Sequence, residues 1–170
     1  LLKRFDNLRR DIDATGGVRG LDGLNQQAFD ILTSSKLAEA LNLKCESKKT
    51  LDKYGEGTKK VQGDAAPRMN SQFLIARRLV EAGARVVTLS YSFWDWHGDN
   101  YGNARKDMPM FDQGVSALIQ DLYDRGLDKD VAVCVWGEFG RTPKINNNGG
   151  RDHWPRVSCA LLSGGRMKHG

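Results

Sequence analysis

VAVCVWGEFGRTP, residues 131–143, is an apolar run that ends at a glycine and continues into a polar loop. Its first six residues are β-branched, aromatic or small, which is typical of a buried strand. A similar apolar run, residues 85–91, lies upstream, and another, residues 157–162, lies downstream. The sequence therefore predicts three strands, each followed by a turn or a loop.

Helical patterns lie before and between the first two strands. Asn70 is a suitable N-cap for a helix that runs through Glu81 and ends at Gly83. A second helix is predicted from about Pro109 to Gly126, because its apolar residues recur at helical spacing. A strand, a helix and a strand in this order predict a βαβ unit, in which the strands are almost always parallel.

These elements divide the chain into two regions. Residues 68–170 are expected to form an α/β core of three layers, with a mainly parallel sheet and flanking helices. Residues 1–67 are expected to form a helical region, because Leu1–Asp13 and Leu21–Leu43 carry apolar residues at helical spacing. The polar segment Cys45–Pro67, rich in glycine, is expected to connect the two as a loop or covering flap.

Length and composition exclude several classes of protein. The chain has 170 residues, of which 39% are hydrophobic and 28% charged, as in an ordinary globular domain. It contains no apolar run long enough to cross a bilayer, and its first residues lead directly into charged helical sequence rather than a secretory signal. We expect it to be a segment of a longer protein, since it begins without Met and stops without a closing element.

The charge and the cysteines indicate no specialised class. The net charge of +5 is spread along the chain, and its most basic stretch, Lys44–Lys60, is interrupted by acidic residues, so we expect no nucleic-acid partner. The three cysteines cannot all pair and show no CxxC spacing. Cys134 and Cys159 lie inside apolar runs and are predicted to be buried core residues.

Two loops carry the residues with chemical potential. In a parallel sheet, the loops that follow the carboxyl ends of the strands open on one edge, where ligands bind. The first loop brings Asp95 and His97, and the second brings Glu138 and then His153. Carboxylate and imidazole ligands predict a divalent metal ion, zinc above all, with manganese, calcium or iron as alternatives.

Two arginines in the second loop suggest an anionic substrate. Arg141 and Arg151 are expected to receive an anionic group through charge-assisted hydrogen bonds. They could instead form ordinary loop salt bridges with Glu138 and Asp152, and each histidine could be a hydrogen-bonded structural residue. Packing is the favoured role for three tryptophans: Trp94, Trp96 and Trp154. The residues that follow Pro143 are interpreted as a solvated loop tip: Lys144, Asn146, Asn147 and Asn148.

Three motifs resemble those of a bacterial family called domain of unknown function 1501. They are Trp94-Asp95-Trp96-His97-Gly98, Gly137-Glu138-Phe139-Gly140-Arg141-Thr142-Pro143 and Gly150-Arg151-Asp152-His153-Trp154-Pro155. The resemblance covers most of the chain from about residue 70. That family in turn resembles the alkaline phosphatase and sulfatase superfamily, which hydrolyses phosphate or sulfate esters with bound metals.

The resemblance implies a doubly wound sheet and a role for each motif. Asp95 and His97 match the Asp-and-His ligand pair of the superfamily, Glu138 with Phe139 its Asp-His-Gly turn, and His153 its last histidine ligand. The sequence departs from the pattern because the first pair is more closely spaced and Phe139 cannot bind a metal. The nucleophile belongs to the superfamily's N-terminal part, which this segment is expected to lack.

Two functions follow as expectations. The first is metal-dependent hydrolysis of a phosphate or sulfate ester, with a sulfated or phosphorylated small molecule as substrate. The second is a non-catalytic module that keeps the fold and binds an anion, a glycan or a partner. The resemblance implies export to the periplasm, with a cytoplasmic location as the alternative. The sequence predicts no membrane partner, and it leaves the oligomeric state open.

Overall fold

The computed structural model of the chain describes residue 23 and residues 25–26, 35–63 and 65–168. Helices and short strands alternate along the described part. The helices are α1 (Ser35–Leu41), α2 (Lys48–Tyr54), α3 (Ser71–Glu81) and α4 (Asn100–Asp124), with a 3₁₀ turn at Leu43–Cys45; the strands are β1 (Gly57–Thr58), β2 (Arg68–Met69), β3 (Ala132–Trp136), β4 (Gly140–Arg141), β5 (His153–Trp154) and β6 (Ala160–Gly164). The predicted mixture of helices and strands is confirmed.

The strand pairing differs from the prediction. The described strands form three antiparallel pairs: β1 with β2, β3 with β6, and β4 with β5. In the longest pair, Ala132 lies opposite Gly164 and Trp136 opposite Ala160. The expected parallel arrangement of these two runs is wrong, because the chain between them forms the hairpin β4–β5 rather than a crossover helix and returns in the opposite direction.

Of the three predicted strands, the third is shifted along the chain and the first does not form. The third begins at Ala160 rather than at residue 157. The first, residues 85–91, belongs to no described strand, and residues 85–90 make no hydrogen bond with any other described residue. Val86 in this segment is 81% exposed. β-Branched composition alone therefore did not produce a strand, because a strand also needs a partner that pairs with its backbone.

The helices agree better with the sequence. α3 covers the predicted residues, and Gly83 follows it with a positive φ of 107°. α4 ends just before Gly126, as expected, but it begins nine residues before Pro109, at Asn100. The side chain of Asp99 accepts the N–H of Gly102 and caps this start. Pro109 lies inside the helix, so the proline is not its first residue.

Asn70 occupies the N-cap position of α3, as predicted, but its side chain does not cap the helix. The residue is fully buried, and its amide donates to the carbonyl oxygens of Tyr54 and Met110 while its oxygen accepts from the Tyr91 hydroxyl. Asn70 therefore links three separate parts of the chain inside the core.

The core lies between the helices and one face of β3. Its buried side chains are Tyr54, Phe73, Leu74, Tyr91, Val115, Ala117, Leu118 and Leu122. Val131, Val133 and Val135 pack against this cluster, whereas the alternate residues of β3 face outwards, and Trp136 is 68% exposed. The strand is thus apolar on both faces but buried on only one.

This arrangement corrects the prediction for the cysteines. Cys134 and Cys159 are both exposed rather than buried, and Cys45 is exposed as well. Cys134 lies on the outward face of β3, which no other described element covers. An apolar run such as residues 131–136 is buried on both faces only when elements cover both faces of its sheet. In the described structure only one face of β3 is covered.

The segment Cys45–Pro67 is more ordered than a loop. It contains α2, whose N-cap Ser47 accepts the N–H of Thr50, and α2 ends in the buried Tyr54. Within the predicted helical pattern Leu21–Leu43, the structure describes one continuous helix, α1. The other predicted pattern, Leu1–Asp13, lies outside the described residues. Among the described helices, none combines the length and the apolar character that crossing a bilayer requires.

A buried arginine pairs with three carboxylates. Arg77 of α3 is 2% exposed and forms ion pairs with Glu46, Glu81 and Asp121 at 2.5–3.0 Å. Burial alone would raise the pKa of Glu46 and of Asp121. Hydrogen bonds from Arg78 and Arg77 outweigh burial at Glu46 and lower its pKa. At Asp121, hydrogen bonds from Tyr54 and then Arg125, with the charge of Arg77, outweigh burial and lower the pKa.

Candidate metal-binding site

The two loops predicted to carry the site meet in the structure. The backbone N–H groups of Asp99 and Asn100 donate to the carbonyl oxygens of Asn148 and Gly149, at 3.0 and 2.9 Å. On the other side, the N–H of Arg151 donates to the carbonyl oxygen of Trp96 at 3.2 Å. These bonds hold residues 96–100 against residues 148–151, and they position His97 and His153 on neighbouring segments.

Asp95, His97 and His153 form a cluster at this junction. The Asp95 Oδ1 lies 2.7 Å from the His153 Nε2 and 3.0 Å from the His97 Nε2, and the two Nε2 atoms are 3.1 Å apart. All three side chains are exposed. Three potential metal ligands, two nitrogens and one oxygen, therefore converge on one point that solvent can reach.

The second ring nitrogen of His97 is held by a carboxylate. The Nδ1 of His97 lies 2.9 Å from Oδ1 of Asp152. Since a carboxylate only accepts, this bond favours the tautomer of a neutral His97 ring with the proton on Nδ1. The lone pair of Nε2 is then directed at the cluster, where the Arg141 guanidinium lies 3.4 Å away. Metal-ligating histidines typically have such a partner, which fixes both the tautomer and the ring orientation.

Arg141 adds a positive charge to the cluster. Its guanidinium donates to Asp95 Oδ1 at 2.5 Å and to the Trp94 carbonyl oxygen at 3.3 Å. The hydrogen bond from His153, followed by that from Arg141, lowers the pKa of Asp95 far below its usual range. The hydrogen bond from His97 likewise lowers the pKa of Asp152. Both carboxylates are therefore ionised at neutral pH.

Two predicted site residues do not contribute a side chain to the cluster. Glu138 is exposed, makes no hydrogen bond or ion pair with another described residue, and is not part of the cluster. Arg151 donates to the carbonyl oxygens of Thr142 and Pro143, at 2.7 and 2.9 Å, so its side chain braces the loop. The alternative of loop salt bridges with Glu138 and Asp152 is not observed for either arginine, because Arg141 pairs with Asp95 instead.

Of the two tryptophans in the first loop, Trp96 is buried, as the packing interpretation predicts, whereas Trp94 is 37% exposed. Trp96 is 8% exposed, and its ring lies 5.2 Å from that of Trp94. The indole N–H of Trp94 donates to the Tyr91 carbonyl oxygen. In the second loop, the Phe139 ring lies 4.5 Å from that of His153. Phe139 thus contacts a candidate ligand without being one.

Two residues at the junction were missed by the sequence interpretation. Asn146, read as part of a solvated loop tip, bonds to both His97 and Asp152. Gly150 lies so close to His97 that a β-carbon on it would be 2.0 Å from the His97 carbonyl carbon. Neither residue type is typical of a metal ligand. A glycine and an asparagine near two candidate ligands do, however, indicate a tight turn and a close approach of the backbone.

A family model, rather than an individual protein, identifies the family of this chain. No curated protein and no solved structure matches the chain. The model of the family described as "Protein of unknown function (DUF1501)" matches residues 2–170. Because this match covers nearly the whole sequence, the predicted family is confirmed: the chain belongs to the DUF1501 family.

Proposed function

We propose that Asp95, His97 and His153 bind a divalent metal ion, and that the chain contributes this centre to a hydrolase of phosphate or sulfate esters. One observation carries the proposal: three ligand atoms converge while Asp152 holds the far nitrogen of His97. An adventitious contact between two exposed histidines would not require a carboxylate in that position.

The donor set suits zinc. Two imidazole nitrogens and one carboxylate oxygen are normal zinc ligands, and three protein ligands leave a position open for water or substrate. Neighbouring ligand atoms around tetrahedral zinc are about 3.3 Å apart, given zinc–ligand distances of about 2.0–2.1 Å. The separations of 2.7–3.1 Å here need to widen by only a few tenths of an ångström.

The remaining residues suit an anionic substrate. A bound divalent cation would supply Lewis acidity and an activated water for ester hydrolysis. Arg141 lies beside the cluster, where its guanidinium is suited to receive the charged oxygens of a phosphoryl or sulfuryl group. Asp152 keeps the His97 ring oriented throughout. The resemblance to the alkaline phosphatase and sulfatase superfamily is part of the same proposal, but the parallel sheet is not, because β3 and β6 pair antiparallel.

A second candidate is a binding module without turnover. The position of Glu138 favours it, because in the described part of the chain its carboxylate does not belong to the cluster. Without that group, the chain offers three ligands and one arginine, which suffice to hold a metal and an anion but include no evident nucleophile. This module would bind inorganic phosphate or sulfate at the metal and release it unchanged.

Metal occupancy and turnover separate the candidates. The chain would be dialysed against zinc, its bound metal counted, and its hydrolysis of aryl phosphates and aryl sulfates measured. We expect one zinc ion per chain, which His153→Ala abolishes and the matched carboxylate control Glu138→Gln retains. Zinc binding with turnover supports the hydrolase, and zinc binding without turnover supports the module. No zinc in the wild-type chain would overturn both.

A further inference from the structure

The side chain of Asn146 makes four hydrogen bonds at the junction of the two loops. Its side-chain oxygen accepts the backbone N–H groups of Asn148 and Gly150, at 3.0 and 2.9 Å. Its side-chain nitrogen donates to the His97 carbonyl oxygen and to Asp152 Oδ1, both at 3.1 Å. Two N–H groups can only donate, and a carbonyl and a carboxylate can only accept, so the amide has one satisfactory orientation.

The neighbouring asparagines differ from Asn146. Within the described part of the chain, the side chains of Asn147 and Asn148 form no hydrogen bond. Three identical residues in a row therefore have unequal roles, and only the first is tied to the cluster. This inequality provides a chemically matched control one residue away.

The two halves of the Asn146 amide do different work. The oxygen organises the loop that leads to Gly150, which is a structural task. The nitrogen contacts the backbone of one candidate ligand, His97, and the carboxylate that orients its ring. Asp152 Oδ1 thus receives two donors, His97 Nδ1 and Asn146 Nδ2, which together fix where that oxygen lies.

We propose that Asn146 is a positioning residue of the metal centre: its amide nitrogen holds Asp152 and the His97 backbone so that the Nε2 lone pair of His97 faces the ion. The inference rests on the proposed metal site and adds a residue to it. Asn146 itself does not touch the metal. It acts through Asp152 and His97, as outer partners of metal-ligating histidines do.

Asn146→Asp separates the structural task from the positioning task. Aspartate keeps an oxygen that accepts from Asn148 and Gly150, but it replaces the donor that faces Asp152 with a second acceptor. We expect zinc affinity, measured by isothermal titration calorimetry on the whole chain, to fall roughly 10- to 100-fold. The thermal unfolding temperature of the metal-free variant is expected to fall by less than the loss of all four side-chain bonds would cause, because the two loop bonds remain.

Asn147→Asp controls for the added charge. It introduces the same negative charge at the next residue without removing a hydrogen bond. An extra negative charge near a cation site strengthens binding, if it acts at all. We therefore expect Asn147→Asp to bind zinc at least as tightly as the wild type. Equal zinc affinity in the two aspartate variants would overturn the positioning role.

A metal-free readout keeps the inference distinct from the proposed function. The ¹⁵N chemical shifts of the His97 ring report which nitrogen carries the proton. We expect the Nδ1–H form to dominate in the wild type and in Asn147→Asp, and to lose its dominance in Asn146→Asp. An unchanged His97 tautomer in Asn146→Asp would refute the role of Asn146 whether or not the chain binds zinc, whereas a failure of the wild type to bind zinc would refute only the proposed function.

Discussion

Gly150 packs directly against the backbone of His97, at the point where the two loops of the site cross. A β-carbon at residue 150 would lie 2.0 Å from the His97 carbonyl carbon and 2.2 Å from its oxygen. Because both are backbone atoms, the clash cannot be relieved by a rotamer change. Gly150→Ala is expected to lower the free energy of unfolding by about 1–3 kcal/mol, as overpacking does, and to weaken zinc binding, measured by chemical denaturation and calorimetry.

Gly98→Ala is the matched control for Gly150→Ala. It lies at the same junction, bridged to Gly149, but its β-carbon would meet nothing closer than the Asn148 carbonyl oxygen at 3.6 Å. That separation is an ordinary van der Waals contact, so Gly98→Ala should change stability by much less. Similar losses in both variants would contradict the importance of the Gly150 contact.

Ligand chemistry let the sequence predict part of the cluster. Asp95, His97 and His153 were proposed as metal ligands from residue type and position after apolar runs, and the structure brings them together. The same argument included Glu138, which the structure leaves apart. Asn146 was missed because the bond that ties it to His97 spans 49 residues of sequence, which local pattern does not encode.

At the scale of elements, the sequence predicted existence better than pairing. α3 and β3 follow from local features: helical spacing ended by a glycine, and a run of β-branched residues. Strand direction and partner depend on the path of the chain between elements. The hairpin β4–β5 reverses that path. The Asn148-Gly149-Gly150 turn signal between its strands favours a hairpin over a crossover helix, but the predicted sheet did not use it.

The segment 85–91 offers a test at this scale. Its residues 85–90 form no hydrogen bond with another described residue, whereas β3 and β6 are paired along their length. Amide hydrogen exchange is therefore expected to be fast at Val86 to Ser90 and slow at the hydrogen-bonded amides of β3. Protection of residues 86–90 equal to that of β3 would indicate that this run is a paired strand, as the sequence predicted.

At the scale of the whole molecule, buried charge makes stability depend on pH. Glu46 and Asp121 both have pKa values lowered in the folded chain, and both pair with Arg77. The unfolded chain therefore takes up protons at higher pH than the folded one, near the ordinary values of 4.5 and 3.8. Stabilisation from these groups is complete above those values and is lost as the pH falls below them.

We expect the free energy of unfolding, measured by urea titration, to decline as the pH falls below about 4.5. Glu46→Gln removes one of the groups that titrate in this range and should flatten part of this decline. Asp52→Asn, which alters only the exposed pair with Lys48, should leave the shape of the profile unchanged. A profile in Glu46→Gln as steep as in the wild type would show that other groups control acid unfolding.

The central claim, a metal ion held by Asp95, His97 and His153, is tested most directly by anomalous diffraction at the zinc edge from crystals of the zinc-loaded chain. The account predicts one strong peak within about 2.0–2.2 Å of His97 Nε2, His153 Nε2 and an Asp95 carboxylate oxygen. Loaded crystals in which these side chains bond only to one another, with zinc bound elsewhere or not at all, would contradict it.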